Sequence, residues 1–308
     1  MKDTIPFLFC RYSLHIGEDR LDATATQQAL NEIQGRFLPS GPTAEQRGEA
    51  TIVVMKPEKL RVKKEDVVTW RIGHKPGHRT VTDYNASTQQ MSYSIEKDRH
   101  ILHSTVIALP RLGAMAVLDR TNALNMGARP ALNRTRAAFR ALDDAAFTYS
   151  FLRPGDLQAI VDKLDLKEYS YTVRRINPTP PSALAAALDA SFAAEGIGIQ
   201  SGVAKPMPGG TMKAEAGLIQ STMDLAGAGY GVLGFKGDTE AGHLAQIKKP
   251  PFSMDKKENL KQQEKEHPLR IFLEAAGDGE ADLASVVSEL LRFYSEEDGT
   301  PDIPQEPA

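Results

Sequence analysis

The 308-residue chain is poor in cysteine, in aromatic residues and in long apolar segments. Cys10 is its single cysteine, which excludes an internal disulfide and a zinc site built on cysteines. Trp70 is the single tryptophan, and aromatic residues make up 6% of the chain. No segment approaches the roughly 20 apolar residues of a membrane-spanning helix, and residues 1–6 lack a signal-peptide layout. These absences predict an intracellular, cytoplasmic protein without membrane contact.

A catalytic signature is also missing. Residues 229–234 fit the pattern G-x-G-x-x-G. The surrounding sequence, however, predicts that a helix precedes this motif and that a strand follows it. A dinucleotide site needs the reverse order, so a helix end followed by a closely packed strand explains the glycines better. Ser104, His100 and His103 offer no nucleophile elbow. No cofactor is therefore expected.

The densest pattern spans 168–250 and predicts the order strand, helix, strand, helix, strand. The predicted strands are 5–16, 50–55, 60–62, 67–72, 90–95, 101–109, 114–118, 168–176, 197–204, 230–235, 244–247 and 269–272. The strands at 90–95 and 101–109 are expected to pair around a polar turn. The predicted helices are 23–37, 130–147, a short one after Asp156, and three capped by Thr179, Thr211 and Asp282.

These elements predict an α+β fold, with a mixed or antiparallel sheet and helices packed on it. Two sub-domains are expected to meet near 153–167. The first, 1–153, contains a basic meander and a helix, and the second, 154–295, contains the pattern described above and the last helix. Residues 296–308 are acidic and proline-containing, which predicts a disordered tail.

Charge is distributed unevenly, although the net charge is only −3. Residues 61–140 contain 14 lysines and arginines against 6 aspartates and glutamates, a net charge of +8. Residues 252–308 contain 6 against 14, a net charge of −8. The basic segment fits an anionic partner, whereas neutralisation of one segment by the other, within the fold or across a subunit contact, explains the asymmetry equally well.

The segment 71–79 concentrates basic side chains around two glycines and a proline, and we interpret it as a loop that could approach phosphate. Its candidates are Arg71, His74, Lys75, His78 and Arg79. A solvated loop is the alternative. His74 and His78 lack a nearby aspartate, glutamate or cysteine to complete a ligand set, so no metal site is expected.

A second basic group lies on the predicted helix 130–147 and its start, where a basic helix face could lie along a phosphate backbone. Its members are Arg129, Arg134, Arg136 and Arg140. Pairing of these arginines with Asp143, Asp144 or the acidic tail is the alternative.

The strand 168–176 places Arg175 on one face with Tyr169 and Tyr171, which resembles a stacking platform for single-stranded nucleic acid in composition. A buried tyrosine face is the alternative. Lys248 and Lys249 could add charge at the end of the last strand of this region.

The leading hypothesis is a non-enzymatic nucleic-acid-binding protein, DNA or RNA, that works within a larger assembly with a protein partner or a second copy. Bacterial regulation or host defence, including antiviral defence, would suit it. A metal-dependent nuclease or phosphodiesterase is the second hypothesis, using Asp238, Glu240 and His243, although a surface turn also explains them. A scaffold that self-associates through opposite charges is the third.

Overall fold

A computed structural model describes residues 4–40, 50–75, 78–85, 90–97, 101–122, 124–152, 156–175, 182–215, 217–252, 267–275 and 281–295. The strands are β1 Thr4–Ile16, β2 Asp19–Arg20, β3 Phe37–Pro39, β4 Ala50–Val62, β5 Glu65–His74, β6 His78–Asn85, β7 Gln90–Lys97, β8 Leu102–Leu109, β9 Ala114–Leu118, β10 Ala145–Ser150, β11 Asp165–Arg174, β12 Ile199–Ala204, β13 Gly231–Asp238, β14 Leu244–Ile247 and β15 Leu269–Glu274. The helices are α1 Ala23–Ile33, α2 Ala128–Phe139, α3 Leu157–Val161, α4 Ala183–Glu195, α5 Gly217–Gly227 and α6 Leu283–Tyr294. The predicted α+β class is confirmed, with a largely antiparallel sheet.

The chain forms two compact units. Unit 1 consists of Met1–Arg11 and Ser150–Asp282, and unit 2 consists of Tyr12–Tyr149 and Leu283–Ala308. The division between Tyr149 and Ser150 lies near the boundary expected from the sequence. The terminal elements are distributed differently, because the first half of β1 belongs to unit 1 and α6 belongs to unit 2.

In unit 2 the strand order is second half of β1, β9, β8, β5, β4, β3, and β2 and β10 also pair with β1. The register places Trp70, Val106 and Val117 on one sheet face, and all three are buried. Helices α1 and α2 contact β4 and β5, and α6 packs against β9, β8 and β4. The hairpin of β6 and β7 forms a separate two-stranded sheet.

Two sequence predictions about the strands of unit 2 are wrong, one about where a strand ends and one about which strands pair. The segments 50–55 and 60–62 form one strand, because the chain continues through a bulge between Met55 and Glu58. Lys56 takes a left-handed backbone with a φ of 48° there, which lets proline follow without ending the strand. The segment 90–95 pairs with β6 and not with β8, whose partners are β5 and β9.

Two predicted helices of unit 2 are too long. Helix α1 ends at Ile33, and Phe37 begins β3. Helix α2 ends at Phe139, the chain reverses through Asp144 with a φ of 55°, and Phe147 lies in β10. The rings of Phe139 and Phe147 stack with centroids 5.6 Å apart. Phe147, the predicted end of the helix, therefore packs on Phe139 from a strand after a chain reversal.

Unit 1 has the strand order β12, β11, β13, β14, β15, first half of β1, with every neighbouring pair antiparallel. Helix α5 packs on β11 and β13, and α4 packs on α5. The Tyr169 hydroxyl hydrogen-bonds to Thr222 Oγ1 at 2.8 Å, which ties the sheet to α5. Gly196 ends α4 in a left-handed conformation with a φ of 69°, which glycine adopts readily.

The helix starts of unit 1 differ from the sequence predictions. Ser182 caps α4 by accepting a hydrogen bond from the Ala185 amide at 3.1 Å, while the expected cap, Thr179, lies outside the described residues. The apolar spacing of Leu184, Leu188 and Phe192 in the sequence predicts a buried helix side, but Leu184 is exposed and Phe192 is buried. Helix α5 begins at Gly217, well after Thr211. No helix in the described ranges has the length and apolar character to cross a membrane.

Candidate nucleic-acid interface

Helix α2 presents a row of basic side chains in unit 2. Arg129, Asn133, Arg136 and Arg140 recur at i, i+4, i+7 and i+11, so they share one side of the helix. Buried residues such as Leu132 hold the other side against the sheet. The α2 arginine row is defined here as Arg129, Arg136 and Arg140. Each of these side chains is at least partly accessible.

The start of α2 is fixed by a side chain from the preceding loop. Gly127 precedes the helix and offers no side-chain cap. Asp119 Oδ1 accepts a hydrogen bond from the Ala128 amide at 3.0 Å and satisfies one of the open amides of the first turn. This contact fixes where the arginine row begins.

Tyr149 of β10 orients the middle of the row. The guanidinium carbon of Arg136 lies 5.1 Å from the centroid of the Tyr149 ring, within the range of a cation–π contact. The Tyr149 hydroxyl donates to Asn133 Oδ1 at 2.8 Å. The aromatic ring thus supports Arg136 from one side, and planar guanidinium groups held in this way can bind phosphate through two parallel hydrogen bonds.

Within the described ranges, neither Arg136 nor Arg140 forms an ion pair. Asp143 and Asp144 follow Arg140 closely in sequence, yet neither pairs with it. Pairing with these two aspartates, one alternative for the basic group, is therefore absent here. The acidic tail at 296–308 lies outside the described residues.

A second basic group lies where β5 ends. Lys75 Nζ is 5.4 Å from the centroid of the Phe37 ring, and 44% of Phe37 is exposed. Desolvation lowers the pKa of His74, and the nearby Arg134 guanidinium lowers it further. Arg134 Nη1 donates to the Pro130 carbonyl at 3.1 Å, and desolvation lowers the pKa of Arg134. His74, Lys75 and Arg134 therefore gather near one end of the sheet of unit 2.

The predicted loop 71–79 is shorter in the structure, because β5 extends through His74 and β6 begins at His78. Arg71 lies in β5 opposite Thr105, on the sheet face that His74 does not share. The structure describes the backbone of His78 and Arg79 in β6, and their side chains lie outside its description.

Acidification should destabilise unit 2 through His74. Because the His74 pKa is lowered in the folded state, the unfolded chain binds the proton first, so stability present above about pH 6.5 is lost as the pH falls. Urea unfolding followed by Trp70 fluorescence, at about pH 7.5 and about pH 5.5, measures this loss. His74→Gln should unfold with a weaker pH dependence. An unchanged pH dependence in that variant would assign the effect to other groups.

The candidates of unit 1 occupy separate environments. Arg175 Nε lies 3.6 Å from Asp189 Oδ1, so an acidic partner already faces it. Lys248 and Lys249 are both exposed, and Lys249 Nζ also donates to Thr172 Oγ1 at 2.9 Å. Tyr169 and Tyr171 do not form an accessible aromatic platform beside Arg175, because both rings are buried.

Tyr169 and Tyr171 are buried, 0% and 4% exposed, and the Tyr169 hydroxyl bonds to Thr222 of α5. Burial raises the pKa of both hydroxyls. The buried-face alternative therefore describes these two tyrosines, and bases could not stack on them in this structure.

Asp238, Glu240 and His243 lie at the turn between β13 and β14. The Thr239 amide donates to the His243 carbonyl at 2.8 Å, which closes the turn. Asp238 Oδ2 lies 3.7 Å from Lys167 Nζ, and Glu240 is exposed. Across the part of the chain that the structure describes, no group of three or more histidine, cysteine, aspartate or glutamate side chains is arranged to hold a metal ion.

The aromatic partners of the basic groups, Phe37 and Tyr149, were not identified from the sequence. Phe37 ends the predicted helix 23–37, whereas Tyr149 follows the predicted helix 130–147 and belongs to no predicted element. Tyr149 could have been identified by one signal: it is an aromatic residue that closely follows a helix whose exposed side is basic.

Comparison with models of protein families gives no match, and comparison with curated proteins gives no match either. Function is therefore inferred from the chemistry of the site itself.

Proposed function

We propose that this protein binds nucleic acid, without catalysing a reaction on it, through the α2 arginine row. The observation that carries the proposal is Arg136, which is supported by the Tyr149 ring and forms no ion pair among the described residues. An accessible guanidinium that is ordered on one side retains its donors for an anion. Phosphate is the anion that a repeated row of arginines fits best.

The geometry of the row suits a polymer of phosphates. Arg129 and Arg140 are separated by about 16 Å along the helix, since each residue adds about 1.5 Å. A nucleic-acid backbone presents several negative charges over such a distance. Because the row lies on a helix whose other side is buried, the Cα atoms of its three arginines keep a fixed spacing.

The second basic group supports the same proposal. Arg134 extends from α2 towards His74, and Lys75 follows His74 directly. Phe37 beside Lys75 offers an exposed ring, and an aromatic ring beside a cation is a common arrangement for contacts to unpaired bases. This combination suits a cytoplasmic protein that binds DNA or RNA within an assembly, with a protein partner or a second copy, in regulation or host defence.

Arg136→Ala/Arg140→Ala should weaken binding of a labelled single strand by roughly tenfold or more at low salt, because two charge-assisted contacts are lost. The slope of log affinity against log salt should become shallower by roughly 1.4, or about 0.7 for each phosphate contact to a single strand. Fluorescence anisotropy across a salt series measures both quantities for single strands and duplexes of DNA and RNA.

The matched control is Lys59→Ala/Arg61→Ala, also in unit 2. Both cations face Asp66, with Nζ–Oδ2 and Nη1–Oδ1 distances of 3.6 and 2.8 Å, so this variant loses the same charge away from the row. The control should bind nearly as the parent protein does. Equal losses of affinity in both variants would mean that binding depends on net charge and not on the α2 arginine row. Absence of salt-dependent binding by the parent protein would reject the proposed function.

A further inference from the structure

One face of the sheet in unit 1 is basic, and neither Ser201 nor Lys205 on it was a sequence candidate. The register places Thr172 opposite Ser201 on β12 and opposite Val232 on β13, so these residues share a face. It is the face opposite the buried Tyr169 and Tyr171. Alternate residues of β12 are exposed on it, including 61% of Val203. The basic sheet face is defined here as Thr172, Ser201, Lys205, Lys236 and Lys249.

Lys249 is held against this face by backbone packing and hydrogen bonds. A Cβ atom on Gly234 would lie 2.4 Å from the Lys249 amide nitrogen, so only glycine allows this approach. Lys249 Nζ donates to Thr172 Oγ1 at 2.9 Å and to the Tyr171 carbonyl at 3.4 Å. Both acceptors are neutral, and no carboxylate of the described chain pairs with this ammonium group. Its charge is therefore not compensated there.

Thr172 connects Lys249 to an exposed hydroxyl. The oxygens of Thr172 and Ser201 lie 2.8 Å apart, and either can donate. Because Thr172 Oγ1 already accepts from Lys249, it can donate its own proton to Ser201 Oγ. The Ser201 proton is then left for an acceptor outside the protein, and the chain of donors polarises each successive bond towards that acceptor.

The remaining charges of the face are also unbalanced. Lys236 Nζ and Lys205 Nζ lie 3.1 and 3.6 Å from the two oxygens of Glu168. The hydrogen bond from Lys236 is the main cause of the lowered pKa of Glu168, so this carboxylate is ionised at neutral pH. One negative charge thus serves two ammonium groups, and Lys249 adds a third positive charge.

We propose that the basic sheet face is a second phosphate site for a single strand, with one backbone phosphate between Lys249 Nζ and Ser201 Oγ. This inference rests on the proposed function and extends it to unit 1. Lysine and serine are common phosphate contacts, and they carry no base specificity. Tyr169 and Tyr171 are buried on the opposite face, so the site reads the backbone and not the bases. A flexible single strand can follow a sheet surface, as in other sheet-based readers.

The test uses the full chain and a labelled single strand of about 20 nucleotides. Lys249→Gln should weaken binding by roughly tenfold at low salt and make the log–log salt slope shallower by about 0.7. Ser201→Ala should weaken binding by a few-fold, with little change in slope, because it removes a neutral donor. Lys213→Gln, an exposed lysine of unit 1 outside the face, is the matched control and should leave both values unchanged.

The possible outcomes separate this inference from the proposed function. Loss in both Lys249→Gln and the Arg136→Ala/Arg140→Ala variant supports both. Loss only in the arginine variant keeps the proposed function and overturns the second site, whereas loss only in Lys249→Gln keeps the second site and rejects the α2 row. No binding by the parent protein, or binding that neither variant weakens, rejects both.

Competition identifies the source of the phosphate. Inorganic phosphate, compared with chloride at equal ionic strength, should displace the strand only weakly, since it offers one group where the strand offers many. Full displacement that depends on Lys249 would make the ligand a small phosphate compound and would overturn the assignment to a nucleic-acid strand.

Discussion

Phe139→Ala should lower the free energy of unfolding of unit 2 by about 3–5 kcal/mol, the usual cost of truncating a buried phenylalanine to alanine. The Phe139 side chain is 1% exposed and stacks on Phe147, so its removal leaves a cavity between α2 and β10. Urea unfolding followed by fluorescence measures the loss. The single tryptophan, Trp70, is buried in unit 2, so its emission reports on that unit.

Arg140→Ala is the companion control, because Arg140 follows Phe139 but is exposed and forms no ion pair within the described residues. It should change the free energy of unfolding by less than about 0.5 kcal/mol. The difference in the free energy of unfolding between the two variants distinguishes Phe139, which packs α2 against β10, from Arg140, which is exposed. A loss below about 1 kcal/mol in Phe139→Ala would contradict the packing of α2 against β10.

Gly234→Ala should destabilise unit 1 by about 3 kcal/mol, towards the upper end of the usual cost of overpacking. The added methyl group would lie 2.4 Å from the Lys249 amide nitrogen and 2.9 Å from its Cα. These are backbone atoms, so no side-chain rotation relieves the overlap, and the segment around Lys249 must move. Hydrogen exchange of β11 and β13, read by mass spectrometry, should show faster opening of these strands.

Gly198→Ala provides the control in the same unit, because no atom lies within 4 Å of the Cβ that this substitution adds. It should leave exchange in β11 and β13 unchanged. The same pair of variants also bears on the basic sheet face, since displacement of Lys249 should weaken single-strand binding only in Gly234→Ala. Normal exchange and normal binding in Gly234→Ala would show that residue 249 does not rest on the sheet as described.

The class of fold was predictable because local patterns carry it. Alternation predicted most strands, and periodicity predicted α6, where residues 283–294 alternate between buried and accessible positions at helical spacing. The errors occur where the chain reverses without a strong signal. Phe147 has the right spacing for α2 but packs on Phe139 from β10, and Lys56 continues a strand through a backbone conformation that is rare for lysine.

The candidate site was predictable in composition but not in arrangement. The sequence shows that Arg129, Arg136 and Arg140 share a helix side, since that follows from spacing alone. It cannot show that Tyr149 supports Arg136, because this contact joins two elements separated by a reversal. Pairing across strands is equally invisible, which is why Thr172 and Ser201 were not recognised as neighbours of Lys249.

The interrupted course of unit 2 has a consequence for synthesis on the ribosome. Residues 150–282 of unit 1 emerge before α6, although α6 packs against β9, β8 and β4, which were made much earlier. The packing of unit 2 is therefore incomplete until α6 is translated, and the surface that α6 covers is accessible to chaperones during that time. All residues of unit 1 are translated before α6 emerges. Unit 1 can therefore complete its fold before unit 2, although most of unit 2 is translated earlier.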